Sequence, residues 1–250
     1  MTPQSVAMTQ PTFLSWAGWF DLAAQVDLLI VLDDVAFSKR SWQQRNRIRT
    51  PEGLSYVTVP VRSAGRPGQR ILDTELAGDA FIDTLIRTVQ RNYSRAAHYA
   101  RYSADFCAVL RASAAGGKLA ELNCGLIDWL ALQLGVSTPR ILSSELGVEG
   151  KRGALLAKLC EHVGATRYVS PAGAEEYLLE DRAEFDNRGI AVELQVYEHP
   201  VYRQCFQPFM PYASALDLLF NEGDAAGAIL RSGRRTPRSL ATVKSLERTP

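Results

Sequence analysis

Basic side chains and two adjacent aspartates are concentrated in one stretch of this sequence, residues 10–49. Before the next acid, Glu52, the stretch carries a run of basic residues: Lys39, Arg40, Arg45, Arg47 and Arg49. Clustered guanidinium groups of this kind suit bidentate recognition of phosphate or carboxylate. A solvated loop with ordinary surface arginines is the alternative. Because Asp33, Asp34, Phe37 and Trp42 lie beside the basic residues, we favour an anion-binding site.

A histidine in the C-terminal part of the chain could supply general acid or base chemistry. His199 follows a predicted strand and precedes Pro200, and the ordinary pKa of imidazole, about 6.5, lies near working pH. The alternative is a hydrogen-bonded corner that fixes a loop. Cys205 permits a Cys-His nucleophile, but a separation of a few residues proves no geometry, and a buried inert thiol is the commoner outcome.

A metal site at Asp33 and Asp34 is a further possibility, because Mg²⁺ takes one or two carboxylates beside the oxygens of a diphosphate. Adjacent residues of a strand point to opposite faces, so both would serve only if the chain had already turned. We therefore predict no tightly held metal. The sequence leaves the cofactor and the oligomeric state open.

The elements that position these residues begin with a strand at 5–9, which Gln10 and Pro11 end. Ser15 is predicted to cap a helix whose apolar residues recur at helical spacing from Trp16. The apolar run at 28–32 is typical of a strand buried in a parallel sheet. Ligands gather at the carboxyl ends of such strands, where Gln10, Asp33 and Asp34 fall.

The rest of the chain completes an α/β pattern. We predict a strand at 54–61 near a sheet edge, and apolar stripes between about 78 and 135 indicate an inserted helical block. A helix over 151–162 ending at Gly164 and strands at 167–170 and 190–196 follow. The predicted fold is a mostly parallel, Rossmann-like α/β sheet with flanking helices and this insertion, in one domain over 1–232. Residues 233–250, rich in Arg, Ser, Thr and Pro, are predicted to form a flexible basic tail.

Composition excludes several functional classes. The chain has 250 residues, 46% of them hydrophobic, so it can bury one substantial core. Its net charge of +1 argues against a generic nucleic-acid or membrane-surface binder. The N-terminus lacks a basic and apolar leader, no apolar run is long enough to span a membrane, and the spacing of the cysteines fits neither a zinc site nor a disulfide scaffold. A cytoplasmic protein is expected.

Several segments in fixed order resemble the WbqC-like family of bacterial proteins. They read QPTFLSWAGWF, VDLLIVLDDVAFSKRSWQQRNRI, TVPV, RTVQRNY, SSEL, YVSPAGAEEYL, EHPVYRQ and SALDLLFNEG. Ser15 departs from the pattern, because the family usually has proline there, and Cys205 lies outside it. The matching positions are Gln10, Pro11, Trp16, Gly18, Asp33, Asp34, Arg45, Asn46, Arg47, His199, Pro200, Tyr202, Gln204, Asp217, Asn221 and Gly223. The family is met among genes for O-antigen and other surface polysaccharides.

The resemblance and the residues together leave two functional hypotheses. In the first, the protein is a transferase that uses a phosphate-bearing activated acyl, aminoacyl or sugar donor and an amine or hydroxyl acceptor, with His199, Asp33 or Asp34 as the catalytic groups. Its substrate-binding residues would be Gln10, Trp16, Lys39, Arg45, Asn46, Arg47, Tyr202 and Gln204. In the second, it is a non-catalytic ligand-binding partner of a pathway enzyme. Nucleotidyl transfer is a variant of the first, although Trp16 and Trp19 stand where adenylating enzymes of similar layout carry paired histidines.

Overall fold

The computed structural model describes residues 2–243, within which six strands form one sheet in the order β5-β2-β1-β6-β7-β8. All neighbours in this sheet are parallel except β8, which runs antiparallel to β7. The strands are β1 (Ser5–Thr9), β2 (Leu28–Val31), β5 (Arg140–Leu142), β6 (Arg167–Ser170), β7 (Ala191–Tyr197) and β8 (Arg234–Ser239). This arrangement confirms the predicted fold class.

A separate antiparallel hairpin lies outside the main sheet and consists of β3 (Arg45–Thr50) and β4 (Gly53–Thr58). The sequence predicted the second strand but not the first, because Ile48 is the single apolar residue in RNRIRT. The strand forms nonetheless, since it pairs with β4 and since the buried Asn46 and Arg49 side chains donate hydrogen bonds to backbone carbonyls. The basic residues from position 45 onward are therefore on a strand, not in a loop.

Helices cover both faces of the sheet. They are α1 (Ala17–Ala23), α2 (Ala80–Tyr93), α3 (Tyr99–Ala114), α4 (Leu119–Gln133), α5 (Ser143–Leu146), α6 (Arg152–Val163), α7 (Glu175–Glu180), α8 (Arg182–Asp186), α9 (Ala215–Glu222) and α10 (Ala226–Ser232). Helices α2, α3 and α4 occupy the segment where the apolar stripes predicted helices. One apolar cluster joins α1, these three helices and α9, and a second lies under α6 and α8 on the other face.

The chain order of the strands creates a switch point between β1 and β6. From β1 the chain moves outward through β2 to β5, and it then returns to the opposite side of β1 as β6 and continues outward to β7. The connections on the two sides of this point depart in opposite directions, which opens a crevice at the carboxyl ends of the two strands. Ligands of open α/β sheets bind in such crevices.

The prediction of a flexible tail from residue 233 is wrong for its described part. Arg234–Ser239 forms strand β8 at the edge of the sheet, and a short turn of helix, Leu240–Thr242, follows. Strand β8 pairs with β7 and places Arg234 beside the buried Asp21. The composition of this segment did not predict a strand, because β8 is held by hydrogen bonds and ion pairs instead of apolar burial. Residues 244–250 of the predicted tail lie outside the described residues.

No helix within residues 2–243 is both long enough and apolar enough to cross a membrane.

Candidate functional site

A cavity of about 360 Å³ lies at the switch point of the sheet. Thr9 at the end of β1 and Pro171 directly after β6 contribute to its floor. Helix α1, the hairpin and the segment before α9 complete its walls. The lining residues are Thr9, Thr12, Trp16, Gly18, Trp19, Leu22, Trp42, Asn46, Arg47, Pro171, Gln195 and Tyr212. We call this the switch cavity. Its volume falls at the lower end of the ~300–1,000 Å³ typical of small-molecule sites.

Hydrogen bonds to backbone carbonyls join segments that are far apart in the sequence. Asn46 Nδ2 donates to the carbonyls of Phe13 and Leu14, at 3.0 and 2.8 Å. On the same strand, the Arg47 carbonyl accepts a hydrogen bond from Ser214 N at 2.8 Å. Because buried backbone groups must be paired, these bonds fix the turn after β1, the hairpin and the start of α9 against one another. Asn46 was predicted to bind substrate; it lines the cavity, and its amide group supports the frame.

Trp16 and Gly18 shape one wall of the switch cavity. Trp16 is the residue before α1, and a Cβ placed on Gly18 would lie 2.2 Å from Cη2 of its indole. Gly18 is therefore required so that the indole can fold back against the start of the helix. The prediction that Ser15 caps this helix is wrong. The Ser15 hydroxyl instead donates to the carbonyl of Thr12 and lies 2.5 Å from the Thr12 hydroxyl.

Arg47 is the one charged side chain among the described residues that line the switch cavity. Its Nη2 donates to the Tyr212 carbonyl at 3.3 Å, and its Cζ lies 5.4 Å from the centroid of the Trp42 ring. No carboxylate within the described residues forms an ion pair with it, and its buried Nε has no hydrogen-bond partner there. A guanidinium with unused donors beside aromatic walls is suited to an anionic group carried on a ring.

A polar network that the sequence did not reveal forms the back wall. Gln195 Nε2 donates to the Gly18 carbonyl at 2.9 Å and to Asp21 Oδ2 at 3.0 Å. Adjacent residues of a strand point to opposite faces of the sheet, and helices cover both faces here. Leu194 is therefore buried in the apolar cluster under α6 and α8, while Gln195 is buried against α1. The one available signal was a glutamine within the apolar alternation of this strand.

His199 lies behind the aromatic wall and not on the cavity surface. Its ring stacks on Trp16 at 6.2 Å and meets Tyr212 edge-on at 5.3 Å, centroid to centroid. Nδ1 lies 2.9 Å from the Pro200 carbonyl, so it carries the proton, which leaves the lone pair on the buried, unpartnered Nε2. Burial lowers the pKa of His199 from 6.5, so the ring is neutral at physiological pH. The structure thus brings His199 to within one aromatic layer of the cavity that Arg47 lines.

Tyr202 and Gln204, predicted to bind substrate, lie in a buried network. The Tyr202 hydroxyl and Gln204 Nε2 both donate to Asp217 Oδ2, at 2.7 and 2.9 Å. Gln204 also exchanges two hydrogen bonds with the backbone of Met210. Burial raises the pKa of Asp217, while the hydrogen bonds from Tyr202, Gln204 and Tyr93 oppose that rise. These contacts hold the loop that carries Tyr212, so both side chains have a supporting role.

Asp33 and Asp34, predicted to be catalytic, do not line the switch cavity. Asp33 is buried and accepts hydrogen bonds from Ser144 N at 3.0 Å and Ser144 Oγ at 2.7 Å, which anchors the start of α5. Asp34 accepts a hydrogen bond from Ser143 Oγ. Asp34 also lines a second, more open cavity of about 690 Å³, at the ends of β2 and β5. Both carboxylates therefore lie at the carboxyl end of β2 beside α5, away from the switch cavity.

The remaining predicted binding residues lie outside the switch cavity. Gln10 Oε1 accepts a hydrogen bond from Gln43 Nε2 at 2.8 Å, so it fixes the turn after β1. Lys39 is exposed in the loop before the hairpin. Arg45 lies with its Cζ 4.4 Å above the ring of Tyr56, on the outer part of the hairpin. Arg49 is buried and donates to the Pro208 carbonyl at 2.9 Å. Of the five basic residues, Arg47 alone reaches the cavity.

The environment of Cys205 does not favour a nucleophile. Its thiol donates to Asn221 Oδ1 at 3.3 Å, and burial raises the pKa of Cys205, which disfavours the reactive thiolate. Within residues 2–243, no group of three or more His, Cys, Asp or Glu side chains is placed to hold a metal ion.

Comparison with known proteins gives two matches. The family model described as "WbqC-like protein family" matches residues 10–229. The chain is 37% identical over 233 residues to "Uncharacterized protein Rv1507c" of Mycobacterium tuberculosis (strain ATCC 25618 / H37Rv), an alignment that covers 93% of this chain and 100% of that protein. No solved structure matches the chain.

Proposed function

The chain belongs to the WbqC-like protein family, and on that premise we propose that it is a transferase that binds a phosphate-bearing activated donor in the switch cavity. The observation that carries the proposal is Arg47, a cation without a carboxylate partner among the described residues, on the wall of an aromatic cavity at the switch point. Its guanidinium would bind the donor phosphate, and Trp16 and Trp42 would pack against the donor's ring.

The transfer step follows from the placement of His199. An acceptor hydroxyl or amine would attack the donor's transferable acyl, aminoacyl or sugar group. The new bond would form to the acceptor atom, the bond to the donor phosphate oxygen would break, and Nε2 of His199 would take the acceptor proton. Tyr212 is 48% exposed, and we propose that its ring swings aside when ligands enter, which would bring Nε2 to the cavity. Positioning and the charge of Arg47 would then supply most of the rate.

We propose that such a reaction serves the biosynthesis of a surface polysaccharide or a related amino sugar, and the family resemblance supports this proposal. The chemistry that the walls recognise is a ring bearing a negatively charged phosphate.

Non-catalytic binding of the same ligand is the second candidate function. One observation favours it: among the described residues that line the switch cavity, there is no carboxylate, imidazole, amine or thiol. A protein with this cavity could hold the activated donor for a pathway enzyme without reacting with it. Under this hypothesis His199 would stabilise the aromatic wall and would have no role in proton transfer.

A thermal-shift panel tests the binding step. Nucleotide sugars, coenzyme A and ATP, each with and without Mg²⁺, are added to the wild-type protein, and we expect at least one to raise its melting temperature. Arg47→Ala should abolish that shift, because it removes the cavity's cation. Lys39→Ala, an exposed cation outside the cavity, is the matched control and should retain it. An unchanged shift in Arg47→Ala would refute the site.

The two functions differ in turnover. The stabilising donor is incubated with candidate amine and hydroxyl acceptors, and its loss is followed by mass spectrometry. Consumption by the wild-type protein, with His199→Gln binding donor but no longer consuming it, supports the transferase. Tight binding with no consumption by the wild-type protein supports the non-catalytic partner.

A further inference from the structure

Two large aromatic side chains are exposed on the hairpin beside the switch cavity. Trp42 is 46% and Tyr56 49% exposed, and their ring centroids lie 6.1 Å apart. Trp42 lies three residues before the start of β3, and Tyr56 is on β4 directly opposite Arg47. Exposed apolar surface that is contiguous and bordered by polar groups often marks a binding site. We call Trp42, Tyr56 and Arg45 the outer platform.

The outer platform carries positive charge that no acid in the described residues neutralises. Arg45 lies over the Tyr56 ring, with its Cζ 4.4 Å from the centroid, and Arg47 lies over the Trp42 ring at 5.4 Å. The two arginines are two positions apart on β3, so their side chains leave the same face at a spacing of about 6.6–6.8 Å. Within the described residues neither forms an ion pair with a carboxylate. The outer platform and the neighbouring Arg47 therefore present two aromatic rings and two cations to the same ligand.

The platform is continuous with the switch cavity, because Trp42 and Arg47 belong to its wall. The cavity's volume of about 360 Å³ is at the lower end of the range for ligand sites. A donor too large for this volume would extend beyond the cavity mouth. The surface it would meet first is the outer platform, past the guanidinium of Arg47.

We infer that the outer platform is a nucleotide subsite, so that the ligand is a nucleoside diphosphate sugar with its sugar in the switch cavity and its nucleobase on Trp42 and Tyr56. Arg47 and Arg45 would bind the diphosphate that joins the sugar to the nucleoside. Every nucleobase has a flat face that stacks on aromatic or guanidinium planes, which matches the chemistry of the platform. This inference rests on the proposed function, because it extends the same binding site outward.

Calorimetric titration with three kinds of probe tests the inference. The probes are UDP-glucose, GDP-mannose, ADP-glucose and dTDP-glucose, their parent nucleoside diphosphates, and the corresponding sugar 1-phosphates. Tyr56→Ala should weaken the binding of the preferred nucleotide sugar, and of its parent nucleoside diphosphate, by about tenfold or more, as expected for the loss of base stacking. The affinity of Tyr56→Ala for the sugar 1-phosphate should stay within about twofold of the wild-type value, because a surface substitution away from a binding contact usually has no larger effect.

Two control variants separate stacking from general effects. Tyr56→Phe keeps the ring and should bind like the wild-type protein. Leu132→Ala removes an exposed apolar side chain elsewhere, 75% exposed, and should also bind normally. Because Tyr56 is half exposed, its replacement is expected to leave the fold intact, which circular dichroism checks.

The outcomes distinguish the inference from the proposed function. If Tyr56→Ala binds nucleotide sugars as tightly as the wild-type protein while Arg47→Ala does not, the nucleotide subsite is refuted and the cavity proposal stands. Equal weakening of nucleotide sugar and sugar 1-phosphate by Tyr56→Ala also refutes the subsite, since the effect would not depend on the base. If the wild-type protein binds none of the nucleotide sugars or their diphosphates, the nucleotide subsite is wrong; the cavity proposal fails with it only if the sugar phosphates, coenzyme A and ATP also fail to bind.

Discussion

Arg234 Nε donates a hydrogen bond to Asp21 Oδ1 at 2.9 Å, joining strand β8 to helix α1 across 213 positions of the chain. Asp21 is fully buried, and its other oxygen accepts hydrogen bonds from Gln25 and Gln195. Gln195 lines the switch cavity, so the charge pair fixes a wall of the site from the far edge of the sheet. A residue from the supposed tail is therefore part of what shapes the cavity.

Replacing Arg234 by Ala should reduce the free energy of unfolding by about 2–3 kcal/mol, because the change leaves a buried carboxylate without its cation. The loss is smaller than for a fully buried pair, since the Arg234 side chain is 33% exposed. Urea denaturation followed by circular dichroism measures it. Arg235→Ala on the same strand breaks an exposed pair with Glu198 and should cost under about 1 kcal/mol. Equal costs for the two variants would show that burial of Asp21 is unimportant.

The sequence predicted those elements of the fold whose stability comes from apolar burial. Strands β1 and β6 were predicted with their observed bounds, and Gly164 ends α6 in the left-handed conformation, with φ of 74°. Strands β3 and β8 were missed for one common reason. Each is rich in arginine, and each is held by side-chain hydrogen bonds or ion pairs to distant segments, which hydrophobic periodicity does not detect.

The sequence predicted only part of the candidate site. Periodicity and turn chemistry indicate which strand ends share an edge of the sheet, and this reasoning correctly grouped Trp16 with Arg47, which both line the switch cavity. Periodicity does not indicate on which side of the switch point a strand end lies, so Asp33 and Asp34 were grouped with residues that line the switch cavity, whereas the structure places them at the end of β2 beside α5. Gln195 was not predicted, because a polar residue in an alternating strand indicates a solvent-exposed position, whereas α1 covers this face of β7.

Gly18→Ala should disrupt the stack between Trp16 and His199. The new Cβ would lie 2.2 Å from the Trp16 indole, so the ring must move away from the start of α1. The near-ultraviolet circular dichroism of the aromatic cluster should decrease, and overpacking should cost about 1–3 kcal/mol, offset in part by alanine's better helix propensity of about 1 kcal/mol. Gly173→Ala is the control, since nothing lies within 4 Å of its added Cβ. A native aromatic spectrum in Gly18→Ala would contradict the assigned packing.

The stability difference between the wild-type protein and Asp217→Asn should depend on pH. Burial raises the pKa of Asp217 above 3.8, so the folded state binds the proton more tightly than the unfolded state does. Ionisation therefore opposes folding: the wild-type protein loses stability relative to the variant as pH rises from about 3.8 through the raised native pKa, and the difference is constant above it.

Urea denaturation of both proteins from below pH 3.8 to neutrality measures this difference. Titration of all other groups cancels between the two proteins, because they differ only at position 217. A difference that stays constant over the whole range would show that Asp217 has the same proton affinity in the folded and unfolded states.

Protonation of His199 should destabilise the fold. Burial lowers the pKa of His199 below 6.5, so the unfolded state binds this proton at higher pH than the folded state does. The neutral ring's contribution to stability is then fully present above about pH 6.5 and is lost as pH falls through the lowered native pKa. The chain has three histidines, and proton NMR follows the titration of each imidazole. The imidazole signal that disappears in His199→Gln should titrate with a midpoint below pH 6.5. Because Trp16 and Tyr212 cover this ring, a donor that moves Tyr212 should also shift that midpoint, and a midpoint that is unaffected by bound donor would argue against the gating movement on which the transferase depends.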